Sequence, residues 1–267
     1  MQNILAGHTN SYHTYGLDEA LQGIAAAGFE YVELSAVDGY TEHVPIDATD
    51  EQIAEIKGKL DQLGLKVSAL SGHSDLTTAE GVVVGKKAID LCTKLGVSLM
   101  NTAIGGHYSE DEDKDAFMGY VHELADYAAE QDVVIGLEVH GDIMASGALS
   151  IPIIKEIGRD NVGINYDTAN CVFYADVQAV DDISATVPYL VHVHLKDSAG
   201  GKGVWNFPAV GEGLVDFSGI LNLLEEEGYT GPFSVEIEFQ GEPFPPLAEV
   251  DRSMKVSYET LSNLGLS

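Results

Sequence analysis

The chain has very little positive charge and very little cysteine. Of its 267 residues, 13 are Lys or Arg and 43 are Asp or Glu, so the formal net charge is −30. A surface of that sign repels nucleic acid and anionic membranes, and we expect neither as a partner. Two cysteines do not make a disulfide framework, which indicates a reduced, cytoplasmic protein.

Long apolar runs and a signal sequence are also missing. No run of about 18 apolar residues occurs, so no membrane-spanning helix is expected. Residues 1–10 lack the basic and apolar regions of a signal peptide. The acidic residues are spread over the helical stretches rather than gathered in a tail. That distribution is typical of cytoplasmic proteins from salt-accumulating halophiles, and we interpret it as an adaptation of the surface.

The sequence repeats one unit: an amphipathic stretch, a Gly or polar break, and a short apolar strand. Eight strands are predicted, at Ile4–Ala6, Tyr31–Ser35, Lys66–Leu70, Ser98–Ile104, Val133–Val139, Val162–Tyr166, Val191–Leu195 and Phe233–Phe239. Strands that alternate with helices over this length predict parallel βαβ units. The fold class is therefore α/β, and residues 1–267 are predicted to form a single (β/α)₈ TIM barrel, with an open doubly wound sheet as the alternative.

Polar residues collect where these strands end. The stretch Gly136–Gly141 reads GLEVHG, and its Glu138 and His140 lie two residues apart, on one face of a strand. The ends of the other strands carry His8, Glu33, His73, His107, Asp167, His192, His194, Glu236 and Glu238. Because the active site of a (β/α)₈ barrel lies at the carboxyl ends of its strands, we expect the site there.

Four of these side chains come from consecutive strands and can reach one point. They are Glu138, Asp167, His194 and Glu236. Three carboxylates and one imidazole form an oxygen-rich site, which favours Mn²⁺ or Mg²⁺ and also accepts Co²⁺ or Zn²⁺. Each residue has an ordinary structural explanation as well, since Asp167 could cap a following helix. Their common position at the ends of consecutive strands favours a metal site over these separate structural roles.

The chain resembles the xylose isomerase-like TIM-barrel superfamily, the group of sugar phosphate isomerases and epimerases. The resemblance runs nearly end to end and is carried by GLEVHG, NYDTAN (165–170), HVHLKD (192–197), VGEGLVDF (210–217) and FSVEIE (233–238). It implies that Glu138, Asp167, His194 and Glu236 hold one divalent ion, with Mn²⁺ favoured. Glu236 is preferred to Glu238 by its place in the motif. Glu138 and Glu236 are also the implied acid and base.

The reaction that the resemblance implies is proton abstraction next to a carbonyl, by way of a metal-stabilised enediolate. The substrate is expected to be a small sugar or a polyol-derived ketone. Residues expected to contact it are His8, Glu33, His73, His107, His140, Asn170, Lys196 and Trp205. Trp205 could equally pack on its own loop. Dimers and tetramers are common in the family, so a homo-oligomer is compatible with the resemblance.

Two departures from the family pattern bear on the substrate. Ketose 3-epimerases of the family usually carry His three residues after the strand-six Asp, where this chain has Asn170. They also carry an Arg after the strand-seven His, which this chain lacks. The absence of that Arg weakens the case for a phosphate or carboxylate on the substrate and favours a neutral sugar or ketone, although the Gly-rich loop Ser198–Gly203 could cradle a phosphate.

Three other functions remain open at this point. An inosose-dehydratase-like lyase begins with the same proton abstraction, so the sequence hardly separates it from an isomerase. An endonuclease IV-like nuclease would use many of the same ligands, but its Asp-x-His pair after strand seven is absent, and the negative charge opposes DNA. The third is a barrel without catalytic activity that only binds a small molecule. Such a barrel would not need all four of the metal-binding residues.

Overall fold

Eight parallel strands close into a barrel in the computed structural model, which describes residues 1, 3–105, 111–141, 143–239 and 243–266. The strands are β1 (Leu5–His8), β2 (Tyr31–Ser35), β3 (Lys66–Ser71), β4 (Leu99–Thr102), β5 (Val134–Glu138), β6 (Val162–Asp167), β7 (Leu190–Leu195) and β8 (Phe233–Val235). Each strand pairs with the next along the chain, and β8 pairs with β1. The predicted (β/α)₈ barrel is confirmed, and an open doubly wound sheet is excluded.

Helices return the chain from one strand to the next along the outside of the barrel. They are α1 (Leu17–Ala27), α2 (Asp50–Leu63), α3 (Ala79–Leu95), α4 (Asp111–Ala129), α5 (Gly147–Ile157), α6 (Asn170–Ala175), α7 (Ala179–Asp182), α8 (Phe217–Glu226) and α9 (Leu247–Asn263). Their apolar faces pack on the strands in one continuous core. Both faces of the sheet are thus covered, which explains why the strands read as apolar runs rather than as alternating patterns.

Most helix ends lie where local sequence signals predict them. Gly28 and Gly64 adopt positive φ and end α1 and α2, as expected of helix-terminal glycines. The sequence also predicts Asp50 as the N-cap of α2; that prediction is wrong, because Thr49 is the cap. Its hydroxyl accepts from the N–H of Gln52, while the Gln52 side chain accepts from the N–H of Thr49.

The last strand is shorter than its apolar run predicts. It ends at Val235 rather than at Phe239. The N–H of Glu236 still reaches the carbonyl of Leu195 at 3.2 Å, but the N–H of Ile237 donates to the hydroxyl of Ser11 at 3.0 Å. A side chain from the far end of the sequence thus replaces the neighbouring strand as the partner of this segment.

Two helical segments after β6 also differ from the pattern. The sequence predicts a helix around residues 180–187 that ends at Pro188; the structure has instead the short α7 followed by a 3₁₀ turn, Ile183–Tyr189. Pro188 has no N–H to donate, and it disfavours the α conformation of the preceding residue, which accounts for the tighter turn. The short helix α6 was not predicted at all, and it begins directly after β6.

The barrel axis is polar just below its carboxyl end, where branched apolar residues are usual. The residues of this polar layer are Glu33, Asn101, Asn165, His192 and Ser234, which come from five strands and are fully buried. Hydrogen bonds link them to one another. Gly136 leaves room for the layer, since a Cβ there would lie 2.4 Å from Asn101 Oδ1. The layer lies directly beneath the strand ends that carry the predicted site.

The surface carries many more carboxylates than cations. Exposed ion pairs such as Lys86–Glu123 (2.6 Å) and Arg159–Asp126 (2.7 Å) occur, but such pairs contribute at most about 1 kcal/mol each. With 43 acidic and 13 basic residues, at least 30 acids have no basic counterpart. Among the described helices, none combines the length and the apolar character that crossing a membrane requires.

This imbalance predicts that stability depends on ionic strength. The Debye length falls from about 30 Å in 10 mM salt to about 3 Å in 1 M salt, which screens the repulsion between carboxylates. We expect the melting temperature to rise by on the order of 10 °C over this range of KCl concentration. Scanning calorimetry at a series of KCl concentrations measures it. A melting temperature that stays constant from dilute buffer to molar KCl would contradict the prediction.

Candidate active site

Four side chains at the carboxyl ends of β5 to β8 face one point. One ligand atom from each of Glu138, Asp167, His194 and Glu236 lies within 4.8 Å of the others. The Nδ1 atom of His194 is 3.5 Å from Glu138 Oε1, 4.0 Å from Asp167 Oδ2 and 3.6 Å from Glu236 Oε2. All four side chains are buried. The strand register helps to bring these side chains together, because Asp167 of β6 lies directly beside His194 of β7.

Asp167 uses its two carboxylate oxygens differently. Oδ1 accepts from the N–H groups of Ala169 and Asn170, both at 2.8 Å, and so caps α6. Oδ2 is buried and has no hydrogen-bond donor among the described residues. Burial and the neighbouring carboxylates raise the pKa of Asp167 to about 7, although Lys196 opposes this. A buried carboxylate oxygen without a donor is costly, and a cation at this point would satisfy it.

The two glutamates of the set are held by cationic or hydrogen-bonding neighbours. Burial alone would raise the pKa of Glu138, but the adjacent imidazoles of His194 and His73 outweigh it, and the pKa is lowered. Burial also acts on Glu236, where Lys196 and His194 hold the pKa well below its usual value. Both glutamates are therefore carboxylates at neutral pH. Three carboxylates and one imidazole are a donor set that suits Mg²⁺ or Mn²⁺.

A cavity of about 270 Å³ opens above these groups. It is lined by Asn10, Val37, Tyr40, Ser71, His73, Glu138, His140, Asn170, Phe173, Tyr174, Lys196, Trp205, Phe207, Glu236 and Glu238. Charged and amide side chains form one part of the wall and aromatic rings another. A small cavity of this mixed character suits a ligand with several hydroxyl groups and an apolar face.

Most of the predicted substrate contacts lie on this wall. They are His73, His140, Asn170, Lys196 and Trp205. His8 and Glu33 are not among the residues that line the cavity, and they contact the four-residue set instead. His8 Nδ1 is 3.1 Å from Glu236 Oε1, and Glu33 Oε2 is 3.1 Å from His194 Nε2. His107, the remaining predicted contact, lies outside the described residues.

Lys196 is a buried cation at the edge of the ligand set. Its Nζ forms a close ion pair with Glu238, lies 3.5 Å from Glu236 Oε2 and donates to Asn170 Oδ1 at 3.3 Å. It also lies 4.5 Å from the centre of the Phe207 ring. Burial would lower the pKa of Lys196, but these carboxylates outweigh it and raise the pKa well above its usual value. Glu238 thus pairs with Lys196, while Glu236 belongs to the four-residue set.

Two histidines on the wall contact groups of the site. His73 Nε2 is 3.1 Å from Glu138 Oε2, and burial, which lowers its pKa, is outweighed by this carboxylate, so the pKa is raised. His140 Nε2 lies 3.0 Å from the hydroxyl of Tyr174. His73 is therefore in ion-pair contact with the carboxylate of Glu138, and His140 contacts a tyrosine hydroxyl.

Aromatic side chains close the opposite part of the cavity. Trp205 packs edge-on against Phe173 and Phe207, with ring centroids 5.8 and 5.2 Å apart. It also lines the cavity, so its packing within the loop does not remove it from the wall. Its Nε1–H is buried without an acceptor in the described part of the chain. This donor is free to meet a hydroxyl group of a ligand.

The loop that carries Trp205 and Phe207 is fastened by Asp197. This buried carboxylate accepts from four backbone N–H groups of the loop that follows β7. The donors are Ser198 (2.8 Å), Gly211 (2.9 Å), Gly213 (2.8 Å) and Val215 (3.1 Å). Carboxylate acceptors make stronger hydrogen bonds than neutral ones, so one side chain holds both ends of the loop.

Asp197→Asn is predicted to destabilise the protein by about 2–5 kcal/mol, because an amide NH₂ would face backbone donors and leave them unsatisfied. KM should rise as well, since the loop carries part of the cavity wall. Urea unfolding at fixed KCl concentration measures the first effect. Asp216→Asn is the matched control: Asp216 caps α8 at an exposed position, and Asn caps helices about as well as Asp. Equal effects of the two substitutions would contradict the assigned role.

Several wall residues escaped the sequence interpretation. The sequence motifs indicate Glu238 only as an alternative metal ligand. They do not indicate Asn10, Tyr40, Phe173, Tyr174 or Phe207 as residues of the site. Asn10 and Tyr40 lie shortly after β1 and β2, so their position after strand ends was a usable signal. Phe173 and Tyr174 lie in α6, whose existence was not predicted. Phe207 lies two residues beyond Trp205, and only the fold of their loop places it on the wall.

Comparisons with known proteins agree with this architecture. A family model described as "Xylose isomerase-like TIM barrel" matches residues 21–260. An L-ribulose 3-epimerase of Methylomonas sp. (strain DH-1) is 28% identical over 240 residues, which cover 83% of this chain and 78% of that protein. The L-ribulose-5-phosphate 3-epimerase UlaE of Salmonella typhi is 24% identical over 241 residues, covering 82% and 81%.

A solved structure with the same fold comes from Mycobacterium smegmatis. It is a xylose isomerase-like TIM barrel protein in complex with magnesium, with a TM-score of 0.77 and 20% sequence identity, and the match covers 99% of each chain. At this identity the match concerns the fold alone.

Proposed function

Because the chain belongs to the xylose isomerase-like TIM-barrel family, we propose that it is a divalent-metal-dependent epimerase of a small, unphosphorylated ketose. The observation that carries this proposal is the placement of Glu138 and Glu236. They reach one cavity from β5 and from the end of β8, which are three strands apart around the closed barrel. Epimerisation next to a carbonyl requires a proton to leave one face of a carbon and to return on the other, and two carboxylates on different walls can serve both faces.

The residues that would hold the metal are Glu138, Asp167, His194 and Glu236. The fit rests on their common position and on the buried Oδ2 atom of Asp167, which has no donor among the described residues. Mn²⁺ is favoured, and Mg²⁺ fits the same oxygen-rich set. When bound, such an ion polarises the carbonyl of the substrate as a Lewis acid.

The chain's own residues orient the two proton-transfer groups. Asn170 Nδ2 donates to Glu138 Oε1 at 3.1 Å, and His73 contacts Oε2 of the same carboxylate. Asn10 Nδ2 donates to Glu236 Oε1 at 2.9 Å. Each carboxylate therefore has a fixed orientation before substrate enters, which is the preorganisation that proton transfer at a defined atom requires. One of the two takes the proton, and the other returns it.

The charges of the wall favour a neutral sugar. Three carboxylates line the cavity, and Lys196, the fixed cation among the described lining residues, is already paired with Glu238. Arg159 and Arg252 lie at the surface in ion pairs of their own. A phosphate on the substrate would therefore meet carboxylates without a free counterion. Repulsion of this kind is an effective way to exclude a charged competitor.

The Gly-rich loop Ser198–Gly203 offers little to a phosphate. Backbone N–H groups in this loop and directly after it already donate to carbonyl groups of the protein. Ala199 donates to the carbonyl of Asn206, Gly203 to that of Phe173, and Val204 to that of Gly201. A phosphate cradle needs several N–H groups pointing at one anion. The same carboxylates also disfavour an abasic-site nuclease, because they would face the phosphates of DNA.

The test is turnover of a ketose panel in D₂O with Mn²⁺. The panel contains free pentuloses and hexuloses and, as the charged counterpart, L-ribulose 5-phosphate. We expect a free ketose to epimerise with deuterium incorporation at the inverted carbon, as measured by NMR, and the phosphate ester to react poorly. Preferred turnover of the phosphate ester would contradict the assigned substrate class. Formation of an unsaturated ketone, detected by ultraviolet absorbance, would assign the lyase reaction instead.

A further inference from the structure

Glu33 is a fully buried carboxylate that the proposed reaction leaves without a role. It lies in β2, beneath the ligand set, and does not line the cavity. Its Oε1 atom accepts from Asn101 Nδ2 at 2.8 Å, and its Oε2 atom lies 3.1 Å from His194 Nε2. A buried carboxylate is costly to desolvate, so its retention in the barrel interior calls for a specific partner.

His194 lies between Glu33 and the ligand set. Its Nε2 atom faces Glu33, while its Nδ1 atom faces the carboxylates of Glu138, Asp167 and Glu236 at 3.5 to 4.0 Å. A carboxylate can only accept a hydrogen bond, whereas a neutral imidazole has one N–H and one lone pair. With an ion among the carboxylates at Nδ1, the imidazole is neutral: its N–H then belongs at Nε2, against Glu33, and its lone pair at Nδ1 faces the ion.

We propose that Glu33 is a positioning residue that fixes the tautomer and the ring orientation of His194 for metal binding. Histidine ligands of metal sites commonly donate their second N–H to a carboxylate, which also makes the imidazole a stronger ligand. The inference rests on the proposed function only through the four-residue ligand set. It requires no sugar and no particular reaction.

The polar layer keeps Glu33 itself in place. Asn101, which donates to Glu33, also lies 3.1 Å from His192 Nδ1. The other nitrogen of His192 lies 3.0 Å from the hydroxyl of Ser234. The direct hydrogen bond from Asn101 restricts Glu33 to one orientation. Ser234 belongs to the layer but has no hydrogen bond to His194, which makes it a suitable control position.

A second ion is the competing explanation. Ligand atoms of His8, Glu33 and His194 also lie within 4.8 Å of one another. An ion there, together with one in the four-residue set, would require both nitrogens of His194 as ligands and hence loss of its remaining proton. The hydrogen-bonded arrangement requires no such proton loss. The number of ions bound per chain separates the two explanations.

The test measures Mn²⁺ binding to the full chain at fixed KCl concentration, using the electron paramagnetic resonance signal of free Mn²⁺. We expect one ion per wild-type chain, with an affinity lowered by about 10- to 100-fold in Glu33→Gln, which keeps the shape but loses the charge. Glu33→Leu, which has no acceptor, should lose at least as much. Ser234→Ala removes a hydrogen bond of the same layer and should keep the wild-type affinity, even where its melting temperature falls.

Each outcome bears on the proposal. Unchanged Mn²⁺ affinity in Glu33→Gln overturns it, and so does an equal loss in Ser234→Ala, which would indicate a general structural effect. Two ions per wild-type chain, one of them lost in Glu33→Gln, overturn it in favour of a second site. Wild-type protein that binds Mn²⁺ but epimerises no ketose contradicts the proposed function and leaves this inference standing. A wild-type chain that binds no Mn²⁺ overturns both.

Discussion

Glu138→Gln and Glu236→Gln should each lower kcat for epimerisation by about 10³-fold, because a positioned acid or base contributes about 10²- to 10⁴-fold to a rate. The loss should be accompanied by a characteristic exchange pattern. In D₂O, the carboxylate that remains can still remove the proton from the epimer that faces it and return deuterium to the same face. Each variant should therefore exchange one epimer without inverting it and leave the other epimer unlabelled, and the two variants should act on opposite epimers.

The matched control for this pair is Glu238→Gln. Glu238 lines the same cavity two residues beyond Glu236 but pairs with Lys196 and lies outside the four-residue set. We expect it to retain epimerisation and to label both epimers. Metal content must be measured in all three variants, since both glutamates are also ligand candidates. Failure of both Glu138→Gln and Glu236→Gln to label either epimer, with the ion still bound, would sink the assignment of two proton-transfer groups.

Removal of the metal should abolish turnover and lower stability together. In the ion-free protein three carboxylates crowd one buried point, and the raised pKa of Asp167 reflects its burial first and that crowding second. An ion at 100 times its dissociation constant stabilises the folded state by about 2.7 kcal/mol. For a chain of this size, this corresponds to a rise of on the order of 5–10 °C in melting temperature. Dialysis against a chelator, followed by calorimetry with and without added Mn²⁺, measures the change.

The Asp167→Asn variant distinguishes Mn²⁺ bound at the four-residue set from Mn²⁺ bound by the acidic surface. The amide oxygen can still accept from the N–H groups that begin α6, since Asn and Asp are comparable caps, but the charge at Oδ2 is lost. The variant should fold, should lack activity and should show no rise in melting temperature with Mn²⁺. A rise equal to that of the wild type would instead attribute the effect to binding by the surface carboxylates, which a net charge of −30 makes a real competitor.

Local sequence patterns were sufficient to predict the strands and helices and the types of polar residue at the strand ends. Apolar periodicity and glycine breaks predict the alternating strands and helices, because each signal lies within a few residues of the element it defines. The residue types that would hold a metal could be recognised for the same reason, since a barrel gathers the carboxyl ends of its strands at one face. The sequence alone therefore determined the barrel, the end of it at which the cavity opens, and the residue types of the four-residue set found there.

The tertiary structure decided which polar residues face the cavity and which lie behind it. The register shifts between Val32 and Glu33 in β2 and between Ile164 and Asn165 in β6, and a shift of one residue reverses the side that a side chain faces. Such shifts depend on contacts between strands that are distant in sequence. Glu33 contacts His194 across the barrel, from β2 to β7, and does not lie on the cavity wall. The pairing of Glu238 with Lys196, which leaves Glu236 to the ligand set, likewise depends on how β7 and β8 meet around the closed barrel.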